Sequence, residues 1–328
     1  MHTSFPKAEL HLHLEGTIEP ETLRALARRH GLPSAALADV EIADRYRYSD
    51  FLGFLMAFKW VCSHLQTPED YGLAACRALE RLHAQHVRYA EIFFSAGICL
   101  RKKMPVERIF EALDDARRRA EQAWGIRAQW IFDAVRQFGP EAAEEVIRLA
   151  IRFRDRRVVG IGLGGDEAQA GPGLFRRAYE MARAEGLRLT VHAGETAGPE
   201  SIWGAIHDLG AERIGHGVSA VSDPRLLEFL RESQIPVEVC VTSNYATGAV
   251  VRGAEHLVRR LFDEGVLVVI NSDDPAMFGA GINAEYARLA EWHGFNRPEL
   301  LDLARNSFRA AFLPQAERDL YLAEIPNP

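Results

Sequence analysis

Short apolar, β-branched runs alternate with longer stretches of helical periodicity along almost the whole chain. The runs Ala8–Leu14, Val87–Ser95, Arg127–Ala134, Val158–Gly164, Arg188–His192, Arg213–His216, Val237–Val241 and Val266–Asn271 predict eight strands. Between them, Thr67-Pro68-Glu69-Asp70 offers an N-cap hydroxyl, a proline at the first helical position and acids near the positive helix end, opening a helix to about Ala84. Asp223-Pro224 repeats the device for a helix ending near Ser233. Pro105–Ala123, Pro140–Phe153, Gly173–Glu185, Pro199–Leu209 and Glu255–Glu264 carry further helical patterns. Strands separated by helices call for parallel pairing through crossovers. Eight such units predict a (β/α)8 TIM barrel, with additional helices near residues 34–66 and after Asn283. A doubly wound sheet is the alternative, but no G-x-G-x-x-G turn follows the first strand.

No linker, repeat or low-complexity tract interrupts the 328 residues, so 1–328 reads as a single barrel domain. Net charge is −7, with both signs mixed along the chain. The basic clusters Arg117-Arg118-Arg119 and Arg152 to Arg157 read as solvated helix faces, which argues against a nucleic-acid partner. Cys62, Cys76, Cys99 and Cys240 form no C-x-x-C pair and suit buried thiols in a reducing compartment. The N-terminus lacks the apolar core of a signal peptide, and no apolar run approaches a membrane span. The expectation is a cytoplasmic protein with no membrane partner; the sequence sets no oligomeric state.

His11-Leu12-His13 closes the first strand, and residues at i and i+2 of a strand share a face. Two neutral imidazoles on one face make half of a zinc site, though polar strand-end residues would read the same. Strand five closes on His192-Ala193-Gly194-Glu195, strand six on Gly215-His216-Gly217, and strand eight runs into Ser272-Asp273-Asp274-Pro275. In such a barrel the C-terminal strand ends converge on one site, so three histidines and an acid from strands one, five and eight can close around a metal. Other metal chemistries fit less well. His13-Leu14-Glu15 matches H-x-E but no P-C-x-x-C follows, there is no H-E-x-x-H helix, and strand four has no lysine to bridge a second ion. One zinc per chain is the expected count.

Pro6-Lys7-Ala8-Glu9-Leu10-His11-Leu12-His13-Leu14-Glu15-Gly16, Gly165-Asp166-Glu167, His192-Ala193-Gly194-Glu195, Arg213-Ile214-Gly215-His216-Gly217, Thr242-Ser243-Asn244 and Ser272-Asp273-Asp274-Pro275 occur in this order. Together they resemble the adenosine deaminase branch of the amidohydrolase superfamily, over most of the chain. The resemblance implies zinc on His11, His13, His192 and Asp273, with His13 also bordering the substrate. It implies that Glu195 protonates purine N1, that His216 orients the attacking water, and that Asp273 helps take its proton. Asp274 would contact N7 and the Gly165 N–H would contact N3. Zinc brings the pKa of a bound water to about 7, and a carboxylic acid at N1 neutralises the charge that attack at C6 builds on the ring.

Two departures bear on the substrate. The family's adenosine enzymes usually carry Asp where Glu15 and Gly162 stand, and both changes are similar to its adenine deaminases. Arg213-Ile214-Gly215-His216-Gly217 and Thr242-Ser243-Asn244 with Thr247-Gly248 look instead like its bacterial nucleoside enzymes. Glu15, longer than Asp, would reach the ribose or a modified 5′ group. Aminodeoxyfutalosine, a menaquinone precursor built on adenosine, is one such candidate, beside adenosine and adenine. Rival readings are another mononuclear amidohydrolase and a non-catalytic nucleoside-binding barrel. His2, His30, His64, His83, His86, His207, His256 and His293 read as ordinary surface or packing residues.

Overall fold

The structure is a computed structural model that describes residues 3–327; His2 lies outside them. Eight parallel strands follow one another around a barrel in chain order: β1 (Lys7–His13), β2 (Val87–Phe94), β3 (Arg127–Val135), β4 (Val158–Gly164), β5 (Arg188–Ala193), β6 (Arg213–His216), β7 (Val237–Val239) and β8 (Val268–Ile270). Closure comes just beyond β8, where Leu12 bridges Asp273. There the Asp273 N–H donates to the His11 carbonyl at 3.0 Å, and the His13 N–H donates to the Asp273 carbonyl at 2.9 Å. The expected barrel is therefore present, with the added helices Asp39–Arg45 and Phe51–Cys62 over its mouth and Ile282–His293, Arg297–Arg309 and Gln315–Glu324 at its end.

Strand alternation sorts the side chains into two cores. Ala8, Leu10 and Leu12 of β1 face outward into the continuous apolar layer beneath the helices. Glu9 and His11, both fully buried, face the opposite way, into the barrel. Hydrophobic burial secures the outer layer; the inner column is held by ion pairs. Arg213 of β6 lies between Glu91 of β2, at 2.6 Å, and Glu238 of β7, all three with no exposed side-chain surface. Its guanidinium stacks 3.7 Å above the Phe312 ring. The C-terminal segment that carries Phe312 plugs the lower end: the Phe312 N–H donates to Glu91 and Arg213 donates to the Ala310 carbonyl.

Two strands are shorter than the sequence pattern predicts by two residues or more. Val237–Val241 ends at Val239, because Val241 already begins the helix Val241–Ala246. Val266–Asn271 narrows to Val268–Ile270, and Asn271 instead caps β1, its side-chain oxygen accepting from the Leu10 and His11 N–H groups at 2.8 and 3.1 Å. The Asp223 cap is present: its carboxylate accepts from the Arg225 and Leu226 N–H groups. Most of the basic clusters lie on exposed helix faces, but Arg117 is a correction. It is buried, because Asp114 and Glu121 one turn away on either side pair with it at 2.8 Å. The four cysteines are free thiols, three of them buried. No helix among the described residues is long and apolar enough to cross a membrane.

Arg213→Met should lower stability by about 3–5 kcal/mol, because it leaves two carboxylates buried without their counter-charge. Urea unfolding followed by circular dichroism measures this; an unchanged midpoint would show that the column contributes nothing to folding.

Candidate active site

The C-terminal strand ends gather the predicted residues on one floor. His11 Nε2 and His13 Nε2 lie 3.0 and 3.1 Å from His192 Nε2, and 3.5 and 3.4 Å from Asp273 Oδ1. Ligand atoms about 2.0–2.1 Å from one tetrahedral ion stand roughly 3.3 Å apart, so this N3O set has the spacing of a zinc cage. The chemistry of the donors agrees. His11 Nδ1 faces the Glu238 carboxylate at 2.8 Å, which places its proton there and leaves Nε2 as a lone pair toward the cluster. Burial keeps His13 neutral, its imidazole pushed down to about 3, and holds His192 well below its ordinary value. His216 is also near enough to join the group formed by His11, His192 and Asp273. Its Nε2, however, points between Glu195 at 3.6 Å and Asp273 Oδ2 at 3.9 Å.

A hydrogen-bond chain fixes which nitrogen of His216 carries its proton. The Val258 N–H donates to His256 Nδ1 at 3.0 Å, leaving the His256 proton on Nε2, which donates to Asn244 Oδ1 at 3.3 Å. The Asn244 amide then donates to His216 Nδ1 at 3.1 Å, so the neutral ring presents its Nε2–H to the two carboxylates. Burial works against charge on His216, yet Glu195 and Asp273 raise its imidazole above the ordinary value. Burial likewise opposes ionisation of Asp273, but His216, His11 and His13 hold its carboxyl below the usual range. Ser243 donates to its Oδ2 at 2.7 Å. His216 and Asp273 both have φ near +61°, a left-handed conformation costing on the order of 1 kcal/mol or more in a non-glycine residue. That backbone turns each side chain inward at its strand end.

Glu195 is almost fully buried, which pushes its carboxyl up to about 7; Thr247 donates to it at 3.2 Å. Its backbone is clamped by Glu167, whose carboxylate accepts from the N–H groups of Gly194, Glu195 and Thr196 at 2.8–2.9 Å and from the Ser201 hydroxyl. Asp274 is pushed well up by burial and by Asp273 beside it. It packs over Gly16, where a Cβ would lie 1.8 Å from its Oδ1. That contact accounts for the glycine after Glu15.

A cavity of about 650 Å³ opens above this floor. His13, Gly165, His192, Glu195, His216, Asp273 and Asp274 line it. Fully buried His11 lies beneath, and Glu15 is set behind the wall. Glu15 accepts from the Ser95 N–H at 3.2 Å, its other oxygen has no hydrogen-bond partner, and burial pushes it up to about 7. Sequence reasoning missed Asp133, a buried acid of β3 that lines the cavity with Oδ1 unpartnered. It occupies the room left by glycine in β4: a Cβ at Gly162 would meet its Oδ1 at 2.6 Å. Also missed were Glu238, Arg213 and Glu91 as a support column, and His256, which begins the chain to His216 and is more than packing. A lone charge within an apolar strand, as in Val237-Glu238-Val239, is the signal that marks such residues.

Residues 6–327 match the family model described as adenosine deaminase. An aminodeoxyfutalosine deaminase from Streptomyces avermitilis is 42% identical over 322 residues, 98% of this chain and 90% of that one. Among solved structures, an adenine deaminase from Arthrobacter aurescens superposes with a TM-score of 0.94 at 32% identity, covering 98% of each chain. An amidohydrolase from Burkhoderia ambifaria with bound Zn gives a TM-score of 0.89 at 28% identity, covering 98% of this chain and 89% of that one.

Glu167→Gln should strand at least one of the four donors, since an amide nitrogen cannot accept. The expected cost is about 1–3 kcal/mol of stability, with a fall in kcat as the Glu195 backbone loosens. Thermal unfolding beside initial rates checks both; wild-type values for each would remove Glu167 from the site's scaffold.

Proposed function

Because the chain belongs to the adenosine deaminase family, we propose that it hydrolyses a 6-aminopurine nucleoside with a modified 5′ end to the 6-oxo product and ammonia. As a member it is a hydrolase of C–N bonds in cyclic amidines. The observation that carries the reading is the floor just described, where three imidazoles and Asp273 face Glu195, His216 and Asp274 beneath one cavity. The cavity is far roomier than a bare purine requires, which favours a nucleoside over free adenine. The Streptomyces avermitilis relative points the same way, and aminodeoxyfutalosine is the proposed substrate, with adenosine and adenine as alternatives.

His11, His13, His192 and Asp273 are the proposed ligands of one Zn2+. Three imidazoles and one carboxylate suit that ion, and a solved relative carries it. When bound it acidifies a water enough to supply hydroxide near neutral pH. His216, its Nε2–H fixed by Asn244, orients the attacking oxygen toward C6. Asp273 Oδ2 accepts the proton that this oxygen loses. Glu195 holds its own proton near neutrality and donates it to N1, so the ring does not accumulate charge as C6 becomes tetrahedral. The proton taken up by Asp273 passes to the amine, which leaves as ammonia while C6 keeps the oxygen, and the oxygen's second proton restores Glu195. N7 and N3 are acceptors and need donors. Asp274, kept protonated by burial, donates to N7, and the Gly165 N–H donates to N3. Glu15 lies behind Ser95, outside the cavity lining, and would act on the ribose or its 5′ group through the Ser95 backbone that it holds.

Metal analysis should find about one zinc per chain, and chelation should abolish ammonia release from adenosine and 5′-modified adenosines. Full turnover in a verified metal-free sample would refute the assignment. Glu195→Gln should keep its zinc and lose about two to four orders of magnitude in kcat. A variant with near-wild-type turnover would return Glu195 to a structural role. Guanine and adenine complete the ammonia-release screen; preference for either free base would overturn the nucleoside reading.

A further inference from the structure

Strand pairing lapses where the site begins. β3 and β4 stay in register as far as Val135 and Gly164, and β5 and β6 as far as Ala193 and His216. Between β4 and β5 the register ends at Ile161 and Leu189, so the upper ends of both strands face each other without a main-chain ladder. A carbonyl on such an open edge is costly to bury unless a donor reaches it. Side chains supply the donors here. The Tyr179 hydroxyl donates to the Thr190 carbonyl at 2.8 Å, and Arg136 Nη2 donates to the His192 carbonyl at 2.7 Å. Arg136 Nη1 donates, also at 2.7 Å, to the carbonyl of Ala170, at the far end of the loop that leaves β4 at Gly165. One planar guanidinium thus spans the gap. It joins the backbone of a proposed zinc ligand to the loop whose first N–H is assigned to purine N3.

Arg136 is buried and does not line the cavity, so it acts only through what it holds. Its place follows from the chain: β3 ends at Val135, and the single helical turn Arg136–Phe138 comes next. The same turn sets Gln137 over Gly165, where a Cβ would collide with the Gln137 carboxamide. Gly165 has φ of +96°, a backbone that only glycine takes up without strain. Glu167 fastens the middle of the loop to the N–H groups of Gly194, Glu195 and Thr196. Arg136 fastens its end.

We propose that Arg136 is a positioning residue: its fork replaces the missing β4–β5 ladder and holds the loop 165–170 where the Gly165 N–H meets purine N3. The inference rests on the aminopurine reading and adds the group that sets one of its ring contacts. A planar fork suits the task, because N–H bonds fixed in one plane set the separation of the two carbonyls, and a lysine ammonium does not. The rival account is that Arg136 only satisfies two buried carbonyls. That account predicts a less stable protein with unaltered recognition of the ring.

The test uses the zinc-loaded wild type, Arg136→Gln and Arg136→Lys with two ligands that are not turned over: inosine, and 3-deazainosine, in which C–H replaces N3. Calorimetry should show the wild type binding inosine about three- to tenfold more tightly, the worth of one neutral hydrogen bond. In Arg136→Gln that ratio should fall to about one, with inosine weakened and 3-deazainosine nearly unchanged. Arg136→Lys keeps the charge without the fork and should lie between; it carries the comparison if the glutamine variant does not fold. Hydrogen exchange across residues 165–170 should quicken in Arg136→Lys and keep its wild-type rate across β1 and β2. A wild-type ratio in both variants, or unchanged exchange in the loop, would overturn the assignment and leave the deaminase reading intact. Equal weakening of both ligands would also overturn it, since a defect blind to N3 is structural. No preference for inosine in the wild type would remove the N3 contact, and this role for Arg136 with it. A wild type that releases ammonia from no aminopurine would instead overturn the functional reading on which the assignment rests.

Discussion

Arg213 is fully buried in the barrel between two carboxylates, and the site is built on top of that arrangement. A charge buried this deeply is tolerated only when it is paired and hydrogen-bonded. Glu91 and Glu238 pair with it, Phe312 closes it from water, and Tyr89 donates to Glu91 at 2.7 Å. Glu238 then has one oxygen left, and that oxygen meets His11. The imidazole that faces the other donors is therefore oriented by an ion pair reaching down to the chain's C-terminal segment. Lower barrel and upper site are one electrostatic unit.

The upper half repeats the logic with neutral donors. Each residue expected to act on substrate is held by one that does not touch it. Glu167 holds the backbone of Glu195, Asn244 and His256 set the proton of His216, and Ser243 fixes one oxygen of Asp273. Two of these, Ser243 and Asn244, come from the helical turn that replaced the end of the seventh predicted strand, and Thr247, which donates to Glu195, caps that turn. Cutting that strand short is what brings their side chains over the floor. Burial does the remaining tuning, by raising the carboxyls of Glu195 and Asp274 at the floor.

The order of strands and helices was legible because apolar period, caps and prolines act locally, and Asp223 and Pro224 end up where such rules place them. His11, His13, His192 and Asp273 were legible because strand ends in this fold share a destination. Their supports were harder to see. Glu238 and Arg213 are distant in sequence and meaningful only once β6 and β7 are neighbours around Glu91. Asp133 could be recognised only through the space that Gly162 leaves on the adjoining strand. Arg117 read as solvated because a buried guanidinium and an exposed one look alike until Asp114 and Glu121 are seen around it.

The barrel's seam and the candidate metal cage share their residues. β1 reaches the far side of the barrel through main-chain bonds between His11, His13 and Asp273, and through Asn271, which is 260 positions from His11. An ion gripping those side chains would act as a clasp between the first and last strands, fastening a loop that takes in most of the chain. Closing so long a loop is entropically costly and belongs late in folding. Until that seam is closed, the circle of strands is an open sheet with two unpaired edges, and the floor does not yet exist.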